Sequence, residues 1–306
     1  MFKVTKLFFT LTWLVAFLVI GLWMAPRAYA ATITVETTAD NTSTADNACS
    51  LREAINNANR VGGGDGTSNN CESASNGSDT IVFASTLSGQ TITLGSALPQ
   101  LTSNITIDGT GSKITVSGNN AVQVFNISAG GNVTINNLTI VNAKNSANSS
   151  SAVQGGAINN AGTLTINNST LQDNTVSNTR TQGSGNNAQG GAIANSGTLT
   201  IINSTFSGNS ATVADGTARG SAIYASSGTV KISNSTIVGS VATGVDTAGG
   251  TTTIKNSIIK GHAGNDCVTA TVQGVNRIDD GTNCGTFTSA TNLGSLVDNG
   301  GDTQTI

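Results

Sequence analysis

The chain has 306 residues, with 13 Lys plus Arg, 16 Asp plus Glu and a single His, for a formal net charge of −3. Charge this sparse, with no basic cluster, excludes a nucleic-acid-binding surface. The length is ample for one domain with its own core, and the 37 glycines set among Thr, Asn and Ser argue for short strands and turns rather than a helical fold.

Lys3 and Lys6 precede an apolar run over residues 7–24, and Ala28-Tyr29-Ala30 closes it with small residues at the positions a signal peptidase reads. The pattern predicts a secretory signal cleaved after Ala30; the alternative is an uncleaved anchor, since the run is just long enough to span a bilayer. Removing the signal leaves 10 basic and 16 acidic residues and no stable membrane insertion. Residues 33–37 alternate as a first strand. Ser50 with Glu53 three residues later forms a capping box, and Leu51, Ala54, Ile55 and Ala58 share one face, so a helix is expected from Ser50 to Asn59. A short amphipathic helix there suits the open end of a repeat fold. First coils are expected to fill the rest of residues 31–100.

From residue 101 to 262 the chain repeats. GGAINNAGTLTINNSTLQDN from Gly155 becomes GGAIANSGTLTIINSTFSGN from Gly190, with weaker copies upstream and downstream. Marker positions Ile105, Val133, Leu164, Leu199, Val230 and Thr252 are spaced by 28, 31, 35, 31 and 22 residues, the span of one supersecondary unit. Each unit alternates apolar and polar residues with period two, as a half-buried strand does. Asn137, Asn168, Asn203, Asn234 and Asn256 hold one equivalent position and are expected to turn inward as a hydrogen-bonded ladder. The Asn-x-Ser/Thr triplets at Asn168, Asn203 and Asn234 are accordingly read as structural rather than as glycosylation sites. The fold class predicted is all-β, a right-handed parallel β-helix with coils of about 22–35 residues and an N-terminal capping helix. A β-sandwich would also have short strands, but would keep no such in-register Asn column.

The CSLREAI stretch from Cys49, after Thr37, Thr38 and Asp40, resembles the CSLREA motif near the N-terminus of secreted bacterial proteins. The GGAIxNxGTLTIxNSTFSGN units resemble the repeats of pectin-lyase-like β-helices, among them polymorphic outer-membrane and adhesin-like chains. Residues 293–305 look like the start of a tail that leads, in such proteins, to a C-terminal sorting segment. The resemblance implies an extracellular or cell-surface interaction module whose partner is a glycan or a protein. The chain ends inside the tail motif at Ile306, as a truncated or a released form would.

Four cysteines in an exported chain suggest two disulfides. Pairing within each end, Cys49 with Cys71 and Cys267 with Cys284, is favoured over the two crossed connectivities; metal binding is disfavoured because no Cys-x-x-Cys or Cys/His spacing occurs. Many pectin-lyase-like proteins cleave polysaccharides, so a lyase or hydrolase is the rival function. Its candidate residues are Asp279 and Asp280 beside Arg277, together with His262, all in or beside an irregular segment over residues 263–306; the bland alternative is a solvated turn and a surface His. Between residues 105 and 261 the only acids are Asp108, Asp173, Asp215 and Asp246, at least a coil apart, which leaves a lyase groove without its carboxylate cluster. Calcium is the one cofactor considered, at Asp298 and Asp302, where turn chemistry is the simpler account. Outward positions carry two Thr columns, Thr106, Thr134, Thr165, Thr200, Lys231 and Thr253, and Thr163, Thr198, Thr229 and Thr251. They resemble the faces of ice-binding β-helices and would also suit glycan hydroxyls.

Overall fold

A computed structural model describes residues 30–42, 45–60, 70–72, 74, 77–278, 281, 282 and 284. The segment expected to be a signal (residues 1–29 of it), Asp279, Asp280, Asp298 and Asp302 therefore lie outside the described residues.

Period-two alternation decides the architecture. In Thr163–Asn167 the side chains of Leu164 and Ile166 are fully buried while Thr163 and Thr165 face out, and a strand apolar on one face must stack that face on something. Here each coil stacks on the one before. The chain is a right-handed parallel β-helix whose three faces are sheets of nine, eight and seven strands, all pairing parallel. The long sheet runs Thr32–Val35, Asp79–Phe83, Asn104–Asp108, Asn132–Asn136, Thr163–Asn167, Thr198–Ile202, Thr229–Ser233, Thr251–Lys255 and Thr271–Gln273. The second sheet includes Thr170–Gln172, Thr205–Ser207 and Ile258–His262, and the third includes Ile158–Asn160, Ile193–Asn195 and Ile223–Ala225. One apolar core of Ile, Leu, Val and Phe, with Phe125 and Phe206 its largest members, runs the length of the coil.

Two short turns flank the long sheet, and both are fixed by backbone geometry. The turn leading out of it is Asn137, Asn168, Asn203, Asn234 or Asn256, each left-handed with φ between 49° and 52°. Asn tolerates that conformation far better than other side-chain-bearing residues. The turn leading in carries Gly162, Gly197, Gly228 and Gly250, where a Cβ would run into the carbonyl oxygen of the glycine one coil earlier.

The expected inward Asn ladder is corrected by this geometry. Asn168, Asn203, Asn234 and Asn256 are exposed and Asn137 is half-buried, because the left-handed turn swings them outward. Asn203 donates to Asn168 at 3.3 Å across the surface. The residue after each makes the buried ladder instead. Backbone N–H groups of Leu138, Ser169, Ser204 and Ser235 donate to the Oγ of Ser169, Ser204, Ser235 and Ser257 at 3.1–3.2 Å, and each serine Oγ donates at 2.8 Å to the carbonyl two residues before it. Two further inward pairs add to this: Asn174 donates to Asn209 at 2.9 Å and Asn160 to Asn195 at 2.7 Å, all four buried. The Asn-Ser-Thr triplet is thus a turn residue, a ladder residue and the first residue of the next strand.

At the N-terminal end, helix α1 (Leu51–Ala58) covers the core with Leu51, Ala54, Ile55 and Ala58. Ser50 caps it and Glu53 completes the box: Ser50 Oγ accepts from Glu53 N at 3.2 Å and Glu53 accepts from Ser50 N at 2.9 Å. Arg52 forks onto Asp40 at 2.8 and 2.9 Å and donates to the carbonyls of Ala97 and Ser96. A disulfide joins Cys49 to Cys71. The edge of the first strand is blunted as well, with Thr34 N donating to Glu72. At the other end Cys267 is joined to Cys284, and residues 263–282 differ from the expected irregular segment: Cys267–Val268, Thr271–Gln273, Arg277–Ile278 and Gly281–Thr282 continue all three sheets. Weak local alternation there hides strands that are made by stacking.

Candidate functional site

The outward face of the long sheet is the most regular surface of the molecule. Its pairing register places Thr32, Thr80, Thr106, Thr134, Thr165, Thr200, Lys231, Thr253 and Thr271 in one straight column. Beside it run Asn104, Asn132, Thr163, Thr198, Thr229 and Thr251. On the far side lie Asp108, Asn136, Asn167, Ile202, Ser233, Lys255 and Gln273. The expected Thr columns therefore share one sheet and one register. Neighbouring rows stand about 4.8 Å apart and neighbouring columns about 6.6 Å. None of the eight central Thr hydroxyls has a partner among the described residues, so each has its donor and acceptor capacity directed outward. Uneven coil lengths do not place loops over this face, as they would if the variation lay next to it.

The variation lies between the second and third sheets. There three coils throw out a flange of two small sheets, Lys144–Ala147 with Thr175–Asn178 and Ser210–Val213, and Val153–Gln154 with Ala188–Gln189 and Ala218–Arg219. It has its own minor core of Val153, Val176, Ala188 and Ala211. Where it meets the outer side of the third sheet, amides form two short columns: Gln154 donates to Gln189 at 3.0 Å, and Asn126 and Asn159 stand in register. An ion pair closes this junction. Arg219 binds Asp246 through two nitrogens at 2.8 and 2.9 Å and lies over the Tyr224 ring, 5.1 Å from its centroid. The Asp246 hydrogen bond raises the Arg219 pKa above its ordinary value, and Tyr224 itself is buried. The arrangement ties the flange to the coil.

The catalytic candidates do not assemble. His262 ends the strand Ile258–His262 and is buried, not at the surface; its Nδ1 lies 2.8 Å from Asp266 Oδ1, which also accepts from His262 N at 3.0 Å. Both side chains are 1% exposed, so a substrate has no access to them. Arg277 is exposed and pairs in register with Ile258, four residues before His262 on that strand. Each acid of the coils sits alone: Asp108 accepts from Thr110 within its own turn, Asp173 is an exposed left-handed turn residue, Asp215 is exposed on the flange and Asp246 is held by Arg219. Among the described residues no group of three His, Cys, Asp or Glu side chains could hold a metal ion, and no helix is long and apolar enough to cross a membrane.

Sequence reasoning missed Gln154, Gln189 and Arg219, although each directly precedes the Gly that opens its repeat unit, Gly155, Gly190 and Gly220, so the alignment held the signal. The buried Asn160/Asn195 and Asn174/Asn209 pairs did leave a signal: both positions are identical in the two best repeats. No protein-family model, curated protein or solved structure matches this chain.

Proposed function

We propose that this chain is an exported, non-catalytic interaction module that binds uncharged glycans at the cell surface or outside the cell. The reading is supported above all by the surface chemistry of the coils: outward positions repeat as uncharged hydroxyl and amide columns, while every carboxylate between residues 105 and 261 is isolated or already paired. Hydroxyls and planar amides set in rows suit ligands that are themselves rows of hydroxyls, and a surface on which charge is as sparse as Asp108, Lys231 and Lys255 costs less to desolvate than an ionic one. The signal-like N-terminus, the two disulfides and the resemblance to secreted CSLREA-type, adhesin-like chains support export.

The test is to recover the protein from the medium of expressing cells and incubate it, with and without calcium, with a panel of neutral and acidic polysaccharides, scoring bound protein and newly released sugar ends. Binding to neutral members without release is expected. Released ends that disappear on Asp279→Ala or Asp280→Ala would refute the reading in favour of a lyase or hydrolase, and retention inside the cell would refute export.

A further inference from the structure

We propose that the long-sheet face is a linear track for an extended, β-(1→4)-linked neutral polysaccharide lying along the solenoid axis, one sugar over each coil; this rests on the glycan-binding reading above and specifies its site. Six consecutive threonines, Thr32, Thr80, Thr106, Thr134, Thr165 and Thr200, form an unbroken column before Lys231 interrupts it. Rows set by strand pairing cannot shift independently, so the column spans about 24 Å at a fixed repeat of about 4.8 Å. A ligand that uses every row must repeat at that spacing, stay straight over several repeats and offer hydroxyl and C–H groups together. A β-(1→4)-linked pyranose chain does all three: it is extended and stiff, and it advances by close to one strand spacing per sugar.

Charge points the same way. Within the six rows the central column carries no charge, and the one outward carboxylate, Asp108 in the far column beside Thr106, accepts from Thr110 on its own turn. An acidic polysaccharide would gain no cation from this stretch. The flanking columns set the width of the track. Asn104, Asn132, Thr163 and Thr198 on one side and Asn136 and Asn167 on the other stand one side-chain step from the central Thr, where they reach groups on the ring edges while Thr methyls lie under the ring. From Asn132 onward the turns on both sides of this face are the short Gly and left-handed Asn turns, which keep its edges low. Thr side chains in ordered strands also lose little freedom on binding.

Calorimetric titration with cello-oligosaccharides of two to eight sugars tests the assignment. Affinity should rise by about three- to tenfold per added sugar, the worth of roughly one net hydrogen bond, and level off near six. Thr165→Lys should fold normally, since Lys231 already occupies that column, and should end the rise at about four sugars; Lys231→Thr should move the plateau beyond six. Affinity independent of length, or a Thr165→Lys protein that binds as the parent does, overturns the track. If binding survives Thr165→Lys but is lost on Gln189→Ala, the amide pair at the flange junction is the site: the track falls and the glycan-binding reading stands. If no member of the polysaccharide panel binds, both fall together.

Discussion

The two sides of the Asn-Ser pair at 203–204 make opposite demands, and mutation separates them. Asn203 is exposed at φ 50°, so its role is to accept a left-handed turn. Asn203→Gly removes the Cβ penalty along with one surface hydrogen bond and should change stability by less than about 0.5 kcal/mol. Asn203→Leu keeps a Cβ in that region and should cost about 1–2 kcal/mol. Ser204 is the buried partner: its Oγ accepts from Ser169 N at 3.2 Å and donates to Ile202 O at 2.8 Å. Ser204→Ala therefore orphans a buried N–H and should cost about 1–3 kcal/mol. For a chain of this size that is a drop in Tm of roughly 2–4 °C per kcal/mol. Thermal melts followed by far-ultraviolet circular dichroism, with hydrogen exchange at Ser169 and Ser204, read both effects. An inward Asn ladder makes the reverse prediction, with Asn203→Gly as damaging as Asn203→Leu and Ser204→Ala silent; that outcome would refute the turn assignment.

Three further substitutions and one physical measurement probe the rest. Gly197→Ala places a methyl against the carbonyl of Gly162 between two backbones that cannot move apart, so a loss of about 3 kcal/mol in a denaturant melt is expected; a neutral result would show that the coils separate easily. Arg52→Ala strips the carbonyls of Ser96 and Ala97 of this donor and leaves Asp40 with Gly95 N in place of the guanidinium fork, and should cost about 2 kcal/mol, seen first as faster hydrogen exchange in α1. Replacing Cys49 and Cys71 with Ser opens a 22-residue separation and should cost about 3 kcal/mol, with proteolysis beginning in the N-terminal cap. Freezing hysteresis of the purified protein should be absent, because Lys231 breaks the Thr array and the flanking columns are mixed; a measurable gap would assign the face to ice instead of glycan.

Much of this architecture was legible because a solenoid repeats its physics. Period-two alternation, the in-register Thr positions and the helix signal at Ser50 and Glu53 each depend on neighbours close in sequence or on a copy one coil away. The outward direction of the Asn column was not legible, because Asn favours both a stacked amide ladder and a left-handed turn and only φ distinguishes them. His262 misled for a related reason: its partner Asp266 is four residues off in an apparently irregular stretch, and burial comes from coils that pack around both. Arg219 and Asp246 are 27 residues apart, one on a flange strand and the other on a strand of the third sheet one coil later, so their pairing could not be read from the repeat.

The flange explains how coils of 22 to 35 residues can share one regular face. A turn beside the long sheet cannot lengthen freely, since one side is locked by glycines stacked on carbonyls and the other by a single left-handed Asn followed by a buried Ser. Added length must leave the coil elsewhere. It leaves between Gln172 and Ile193, between Ser207 and Ile223, and between Val141 and Ile158, where pairs of strands stack on each other and bury Val153, Val176, Ala188 and Ala211 as a second core. From Thr236 onward the flange is gone, yet the long sheet keeps its register through Thr251–Lys255 and Thr271–Gln273. Insertions in the flange and changes in the face are therefore independent. Shortening the loop at residues 179–187 should leave oligosaccharide affinity within about twofold, as expected for sites that share no contacts. A larger loss would mean that the flange, and not the Thr column, touches the ligand.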